Sequence, residues 1–468
     1  MSLVFYDTET TGTETFFDQI LQFAAIQTDA KLNEIDRFEI RCRLLPHVVP
    51  APSAMGVTRV KVSQLTDPSY PSHYEMVRAI HAKLLSWSPS LFMGWNSIKF
   101  DEDLVRQALY KTLHNPYLTN TNGNSRSDVI RIVQACSLYA PDALTFPTDE
   151  NGQAVFKLDQ IAPANGFKHD RAHDAIGDVE ATIFLCRLLI EKAPHIWSSF
   201  MRFSTKAAVV DFITDERLFC LSDFFFGRPH AFIVTTIGQN QENKAEWYVY
   251  DLSVEPESLL SLSEAQLAAR LAQSPKPVRR LKSNAAPMLF PPEDAPDICT
   301  GREYGLEELE RRAIMVQTDT ALCQRLISAL ESQNKEYPPS PHVEKQIYDG
   351  FIEEPDQKLM SEFHEADWHK RYAIVKKFKD PRLRVIGRQL IHLEQPDLLD
   401  KAARRECDSA TAKRLLGQGE DILWLTLPQA LMEIEGMLKD ASGAELDLLR
   451  DHQQYLRKRQ KQALAHLE

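Results

Sequence analysis

The stretch VFYDTETTGT, residues 4–13, carries the pattern on which the fold and the function depend. Its apolar start predicts a buried strand, and strand alternation places the side chains of Asp7 and Glu9 on one face. Two neighbouring carboxylates repel each other unless a proton or a cation neutralises them. Divalent cations take oxygen ligands and favour clustered carboxylates. The pair therefore predicts either a plain solvent-facing strand end or a metal site.

The segments that follow this stretch predict an α/β domain with a mixed sheet. QILQFAAIQTD and EIDRFEIRCRLL extend the first strand into a β-meander over residues 3–45. Helical periodicity then appears at 74–87, in DEDLVRQALYKTL, in DVIRIVQACSLY and in HDAIGDVEATIFLCRLLIEK, with the short buried strand SLFMGWN among them. Strands followed by interleaved helices indicate an α/β domain over residues 1–195.

The rest of the chain divides into two regions with different predicted secondary structure. HAFIVTTI and EWYVYDLSV predict sheet strands in a small β-rich domain over residues 200–350. The chain from 355 to 468 predicts an all-helical C-terminal domain. Trp247, Tyr248 and Tyr250 alternate along one of the strands, which favours core packing over base stacking.

Composition restricts the class of protein. The chain has 468 residues, of which 43% are hydrophobic, and no run approaches the roughly 20 apolar residues that span a bilayer. It enters its first strand at once, so we expect no signal peptide. Its 7 cysteines form no CxxC pair, which speaks against a disulfide framework or a zinc site. A cytoplasmic protein is expected.

The net charge of −12 does not favour a nucleic-acid partner, but the charge is unevenly distributed. A smaller basic cluster lies at 276–282. A larger one, at 370–388, contains a single acidic residue, Asp380. Each cluster is either a solvated surface or a phosphate-binding surface. The basic residues of the larger cluster are Lys370, Arg371, Lys376, Lys377, Lys379, Arg382, Arg384 and Arg388.

Two further acidic places accompany Asp7 and Glu9. In WNSIKFDEDL, three acids starting at Asp101 open a helix, where the helix dipole favours them. In AHDAIGDVEA, His173 precedes a helix that contains Asp178, and Asp174 is placed to cap that helix. Each place alone favours a purely structural role. Together, four carboxylates and a histidine in one α/β domain predict a two-metal phosphoryl-transfer site.

At this point the chain resembles a known family. FYDTETTG, GWNSIKFDEDLVR and AHDAIGDVEAT are similar to the three motifs of the DnaQ-like (DEDDh) 3′→5′ exonucleases. VVPAPSAMGVT and QIYDGF extend the resemblance to the bacterial exodeoxyribonuclease I family. The chain departs from that family at Arg59, where the family has Gly, and over 386–395, where a basic stretch is missing.

The resemblance implies an RNase H-like (DnaQ-like) exonuclease domain, then an SH3-like domain and a helical domain. It implies hydrolysis of single-stranded DNA to 5′-mononucleotides, in DNA repair and recombination. Two Mg²⁺ ions, with Mn²⁺ as the alternative, would be held by carboxylates, and His173 would be the general base. Asp101 is preferred to its neighbours Glu102 and Asp103 because it directly follows Phe100. The implied metal ligands are Asp7, Glu9, Asp101 and Asp178.

The resemblance also implies partners. These are single-stranded DNA and the acidic C-terminal tail of a single-stranded DNA-binding protein, for a monomer away from membranes. An oligoribonuclease or a proofreading exonuclease is the first alternative, although either needs only about the first 180 residues. A non-catalytic nucleic-acid-binding module is the second. The candidate DNA contacts are Lys370, Arg371, Lys376, Lys377, Arg382 and Arg384.

Overall fold

The structure is a computed structural model that describes residues 2–168, 174–333 and 338–467. Its first sheet has five strands in the order β3-β2-β1-β4-β5. β1, β2 and β3 are antiparallel neighbours, whereas β4 and β5 run parallel to β1, so the predicted mixed sheet is confirmed. The strands are β1 Ser2–Thr10, β2 Ile20–Thr28, β3 Glu34–Arg41, β4 Ser90–Gly94 and β5 Ser125–Asp128.

Helices cover both faces of this sheet. The part of the chain that surrounds it contains eight of them: α1 Pro52–Thr58, α2 Val62–Leu65, α3 His73–Ser86, α4 Asp101–Lys111, α5 Val129–Tyr139, α6 Leu158–Ala164, α7 Ala175–Lys192 and α8 Pro194–Arg202. Leu3 and Phe5 of β1 pack with α5 and α7 in one core, while Val4 and Tyr6 pack with α3 and α4 in another. β1 is therefore buried along almost its whole length.

The acidic pair lies where β1 leaves its parallel neighbour. β4 pairs with β1 only from Ser2 to Phe5, so Asp7 and Glu9 project beyond the end of that pairing. The two strands are also held unusually close there, because a Cβ on Gly94 would lie 2.4 Å from the carbonyl oxygen of Tyr6. Sites at the carboxyl ends of parallel strands are the usual ligand positions in α/β sheets.

A second, antiparallel sheet follows in the order β10-β6-β7-β8-β9. Tyr248 and Tyr250 of β8 are fully buried, and Trp247 packs against a neighbouring core, which confirms the core-packing interpretation. The strands are β6 Phe219–Phe225, β7 Arg228–Gln239, β8 Glu246–Asp251, β9 Val278–Lys282 and β10 Met288–Phe290. The helices around them are α9 Lys206–Asp215, α10 Glu257–Leu260, α11 Glu264–Ala272, α12 Leu306–Thr318 and α13 Thr320–Glu331.

The C-terminal region, residues 354–467, consists of helices joined by loops, as predicted, and it packs back onto the first region. His452 lies 2.8 Å, through Nε2, from the carbonyl oxygen of Val60, and Arg459 donates to that of Val48 at 2.7 Å. The predicted fold class is confirmed, and the limits 1–195, 200–350 and 355–468 stay predictions. The helices are α14 Glu354–Glu365, α15 Trp368–Val375, α16 Pro381–Glu394, α17 Lys401–Leu416, α18 Leu427–Met437 and α19 Gly443–Ala465.

Three smaller expectations can be followed in the structure. All seven cysteines are free thiols. Among the described helices, none has the length and apolar character needed to cross a bilayer. Arg59 is the C-cap of α1 with φ of 54°, a left-handed conformation that glycine adopts without strain. The departure at Arg59 therefore affects backbone strain at a helix end.

Candidate metal centre

Three carboxylates meet at the end of β1. Asp7 and Glu9 come from the strand, and Asp178 comes from the first turn of α7, which packs along β1. One ligand oxygen from each lies within 4.8 Å of the others. This spacing suits the oxygen coordination of a divalent cation. The structure therefore brings together three of the four predicted carboxylates as one candidate ligand set.

Among the described residues, the charges that act on Asp7 and Glu9 are mostly negative. Burial, followed by the charges of Asp101, Asp178 and Glu9, raises the pKa of Asp7 well above its usual range. The pKa of Glu9 is raised to about 8, mainly by burial and then by Asp178 and other acids, with Arg41 opposing. Carboxylates that repel one another in a dry site are stabilised by a bound cation. The residues present therefore fit a metal centre.

The fourth carboxylate, Asp101, opens α4 beside this cluster. It is 4% exposed, and its Oδ1 accepts hydrogen bonds from the Thr8 backbone nitrogen at 3.0 Å and from the Thr8 hydroxyl at 2.6 Å. Burial raises its pKa to about 7, although the Thr8 bonds oppose the rise. Asp101 is not one of the three mutually close ligands, but its charge raises the pKa of both Asp7 and Glu9. Thr8, which orients Asp101, was not identified from the sequence.

The neighbouring Glu102 has a different environment. Its carboxylate accepts from the hydroxyls of Tyr6 at 3.0 Å and Thr119 at 2.6 Å. It also pairs with Arg106 at 2.8 Å and Arg126 at 2.9 Å. Two guanidinium groups and two hydroxyls satisfy this carboxylate, so it has no need of a metal. The preference for Asp101 over Glu102 and Asp103 as a ligand stays a prediction.

Asp174 stands at the N-cap position of α7, as predicted, but its side chain does not cap the helix. Its Oδ1 instead accepts from Gln22 Nε2 at 2.6 Å and pairs with Arg41 at 3.3 Å. The cap prediction is therefore wrong for the side chain, because two residues of β2 and β3 compete for the carboxylate. Sequence reasoning missed Gln22 and Arg41. Their alignment opposite Glu9 becomes visible only once the strand register is known.

His173, the predicted general base, lies outside the described residues. Its role therefore stays a prediction that rests on the motif alone.

The predicted DNA contacts in the basic cluster at 370–388 divide into two groups. Arg371 is buried and donates to the carbonyl oxygens of Ala366 and His364, while Arg382 pairs with Asp380 at 2.7 Å. These two guanidinium groups are engaged within the helical region, which leaves little of them for a phosphate. All six DNA contacts stay predictions, and the exposed members are Lys370, Lys376, Lys377 and Arg384.

Two family models match the chain. The first, described as Exonuclease, covers residues 4–185, which include all four carboxylates. The second, described as Exonuclease I C-terminal domain, covers residues 341–459.

Curated relatives and solved structures agree with these matches. The chain is 26% identical over 401 residues to exodeoxyribonuclease I of Escherichia coli, covering 82% of this chain and 83% of that protein. It is 27% identical over 381 residues to exodeoxyribonuclease I of Haemophilus influenzae, covering 77% and 79%.

The fold is similar to that of exonuclease I from Methylocaldum szegediense, with a TM-score of 0.85, 24% identity, and coverage of 98% of this chain and 99% of that one. Exonuclease I of E. coli in complex with a dA16 oligonucleotide gives a TM-score of 0.84 at 21% identity, with the same coverage. A zinc-bound form of the E. coli complex with single-stranded DNA gives 0.83 at 23% identity, again covering 98% and 99%.

Proposed function

The chain belongs to the exonuclease I family, and from that premise we propose that it removes nucleotides from the 3′ end of single-stranded DNA. The products would be 5′-mononucleotides. The observation that carries the proposal is the cluster of Asp7, Glu9 and Asp178, in which burial and neighbouring acids raise the pKa of Asp7 and Glu9. The relatives named as exodeoxyribonuclease I support DNA as the substrate.

In this proposal the acidic cluster holds two divalent cations. Asp7, Glu9 and Asp178 are the ligands of the first, and Asp101, held by Thr8, serves the second. Mg²⁺ is the proposed ion, with Mn²⁺ as the alternative, because an all-carboxylate site suits hard cations. Two such ions would supply activation of the attacking water and stabilisation of the leaving 3′-oxygen.

The chain's own residues would prepare the site and move the proton. Glu9 is buried, whereas Asp7 and Asp178 are half-buried, and this partial burial strengthens the charge interactions at the end of β1. His173 would accept the proton of the attacking water, since a neutral imidazole is a suitable base near pH 7. The bonds from Thr8 would hold Asp101 in one orientation while substrate enters.

The alternatives predict different substrates. An oligoribonuclease or a proofreading exonuclease would not need the C-terminal domain that the second family model matches. A non-catalytic module would not need the four carboxylates, all of which are present. We therefore favour the exonuclease I activity. We also propose that the protein acts as a cytoplasmic monomer in DNA repair and binds the tail of a single-stranded DNA-binding protein.

Digestion of 5′-labelled oligonucleotides tests the proposal. Single-stranded DNA, its duplex and the matching RNA would be incubated with Mg²⁺ and with EDTA. The expected result is a ladder that shortens from the 3′ end on single-stranded DNA, requires Mg²⁺ and is absent with Asp7→Ala. A preference for short RNA would assign the protein to the oligoribonucleases. Binding without cleavage would overturn the proposed exonuclease activity and favour the non-catalytic nucleic-acid-binding module.

A further inference from the structure

A cavity of about 650 Å³ lies beside α4, which supplies Arg106 and Tyr110 to its wall. Successive residues of β1 point to opposite faces, and Tyr6 reaches Glu102 on the α4 side. The arginines that hold Glu102, Arg106 and Arg126, line this cavity. Its other walls come from Tyr117, from Asn284 of the β-rich region, and from Phe351 just before α14. Three regions of the chain thus enclose one pocket of ligand size.

The charge of this cavity is unusual for the protein. The chain carries a net charge of −12, yet no Asp or Glu occurs among the described residues that line the cavity. Arg106 and Arg126 share the single carboxylate of Glu102, and the buried Nε of each has no hydrogen-bond partner. Asp103 lies close enough to act on both guanidinium groups, but it does not line the cavity. The two guanidinium groups therefore leave positive charge for an anion.

The same cavity offers aromatic surface. The ring of Tyr117 covers the guanidinium of Arg106 at 5.2 Å, and the ring of Phe351 lies 5.8 Å from that of Tyr117 at 59°. Phe351 is 84% exposed, so packing inside the protein does not account for its position. Exposed aromatic rings beside arginines are a common arrangement for stacking bases. The pocket thus combines a phosphate-binding charge with a surface for a planar ring.

We propose that this cavity binds a free nucleoside monophosphate, with the phosphate at Arg106 and Arg126 and the base against Tyr117 and Phe351. As the released product, this ligand rests on the proposed function. A free nucleotide is favoured over a nucleotide of the bound strand because Tyr6, which reaches Glu102, points to the other face of β1 from Asp7 and Glu9. Occupation would reach the active site through α4, since Glu102 directly follows Asp101. The enzyme's activity would thus depend on the concentration of its released product.

Calorimetric titration of the full-length protein with 2′-deoxyadenosine 5′-monophosphate, in EDTA so that no cleavage occurs, tests this site. We expect binding that Arg126→Gln weakens about tenfold or more, because a charge-assisted contact is lost. Arg126→Lys should restore part of it, and Phe351→Ala should weaken it about fivefold or more. Phe226→Ala is the matched control, since Phe226 is comparably exposed, at 90%, in the turn between β6 and β7 and does not line the cavity.

Further arms identify the ligand chemistry. Deoxyadenosine and inorganic phosphate should each bind far more weakly than the monophosphate, and Asp7→Ala should leave monophosphate binding unchanged. Absence of monophosphate binding, or binding that both Arg126→Gln and Phe351→Ala leave intact, would overturn the site. So would variants that lose binding of an oligonucleotide but keep that of the monophosphate. Binding by a protein without nuclease activity would instead overturn only the proposed function.

Discussion

Asp101 and Glu102 are adjacent in the sequence and both buried, yet their surroundings differ completely. Glu102 faces two arginines and two hydroxyls, which together satisfy its charge. Asp101 accepts hydrogen bonds from Thr8, and its negative charge acts on two other acids, Asp7 and Glu9, at the end of β1. A buried carboxylate that pairs with arginine side chains stabilises the fold. A carboxylate that lies among other acids instead can bind a metal cation from solvent.

A mutation at one of these carboxylates can lower either the stability of the protein or its activity. Removing a compensated carboxylate leaves two buried guanidinium groups without their partner, and the loss appears in stability. Removing an uncompensated carboxylate relieves repulsion in the fold, and the loss appears in activity alone. The two classes of residue should therefore respond in opposite ways to the same amide substitution.

The largest effect is expected at Asp7 and Asp101. Asp7→Asn and Asp101→Asn should each lower 3′→5′ turnover by several orders of magnitude while the melting temperature holds or rises, because each removes a proposed metal ligand and a repulsive charge. Turnover on single-stranded DNA and thermal melts in EDTA would be measured together. Near-wild-type turnover in either variant would contradict the assignment of that residue.

At the compensated carboxylate, Glu102→Gln should lower the free energy of unfolding by about 3–5 kcal/mol, since it breaks a buried ion pair. Activity per folded molecule should stay close to wild type at a permissive temperature. Denaturant unfolding gives the first quantity, and turnover corrected for folded fraction gives the second. Glu406→Gln is the control, because Glu406 forms an exposed pair with Arg388 and should cost less than about 1 kcal/mol.

The third prediction concerns pH. Glu9 has a pKa raised from 4.5 to about 8 in the folded protein, so its protonated form favours folding. Its contribution to stability is complete below pH 4.5 and is lost as the pH rises toward 8, at up to about 1.4 kcal/mol per pH unit.

Unfolding in EDTA across this window should show the decline. Glu9→Gln should reduce it, and Mg²⁺ should reverse it near the upper end. If the free energy of unfolding of the wild type does not fall over this window, the pKa of Glu9 is not raised. The same follows if Glu9→Gln leaves the pH dependence of that free energy unchanged.

The smallest effect is expected away from both carboxylate sites. Arg59 holds a left-handed conformation at the end of α1. Arg59→Gly should raise the free energy of unfolding by about 0.5–1 kcal/mol, because glycine takes this conformation without strain but has more freedom when unfolded. Turnover should not change. Denaturant unfolding measures the gain, and a loss of stability would show that the Arg59 side chain contributes more than its backbone costs.

Much of the fold could be predicted from the sequence because its signals are local. Alternation in VFYDTET indicated the first sheet, and helical periodicity at 74–87 and after SLFMG indicated α3, α4, α5 and α7. The positions of Asp7 and Glu9 on one strand followed from the same alternation. The presence of an acidic cluster was therefore predictable, because its central pair is a property of one strand.

The partners of each acid could not be predicted. Glu102 depends on Tyr6, Thr119 and Arg126, which only the folded sheet and the loop after α4 bring to it. Asp174 was expected to cap α7, but the register of β2 and β3 sets Gln22 and Arg41 against it. Which carboxylate is compensated is thus a long-range property, and the sequence motif alone does not contain it.

The most direct measurement is calorimetric titration of the metal-free protein with Mn²⁺ near pH 7.5, in two buffers of different ionisation enthalpy. We expect binding accompanied by proton release, because raised carboxyl pKa values must fall as metal binds. Asp7→Asn should abolish this binding, and Glu102→Gln should leave it intact. Binding without proton release, or binding that survives Asp7→Asn, would contradict the assignment of Asp7, Glu9 and Asp178 as the metal site.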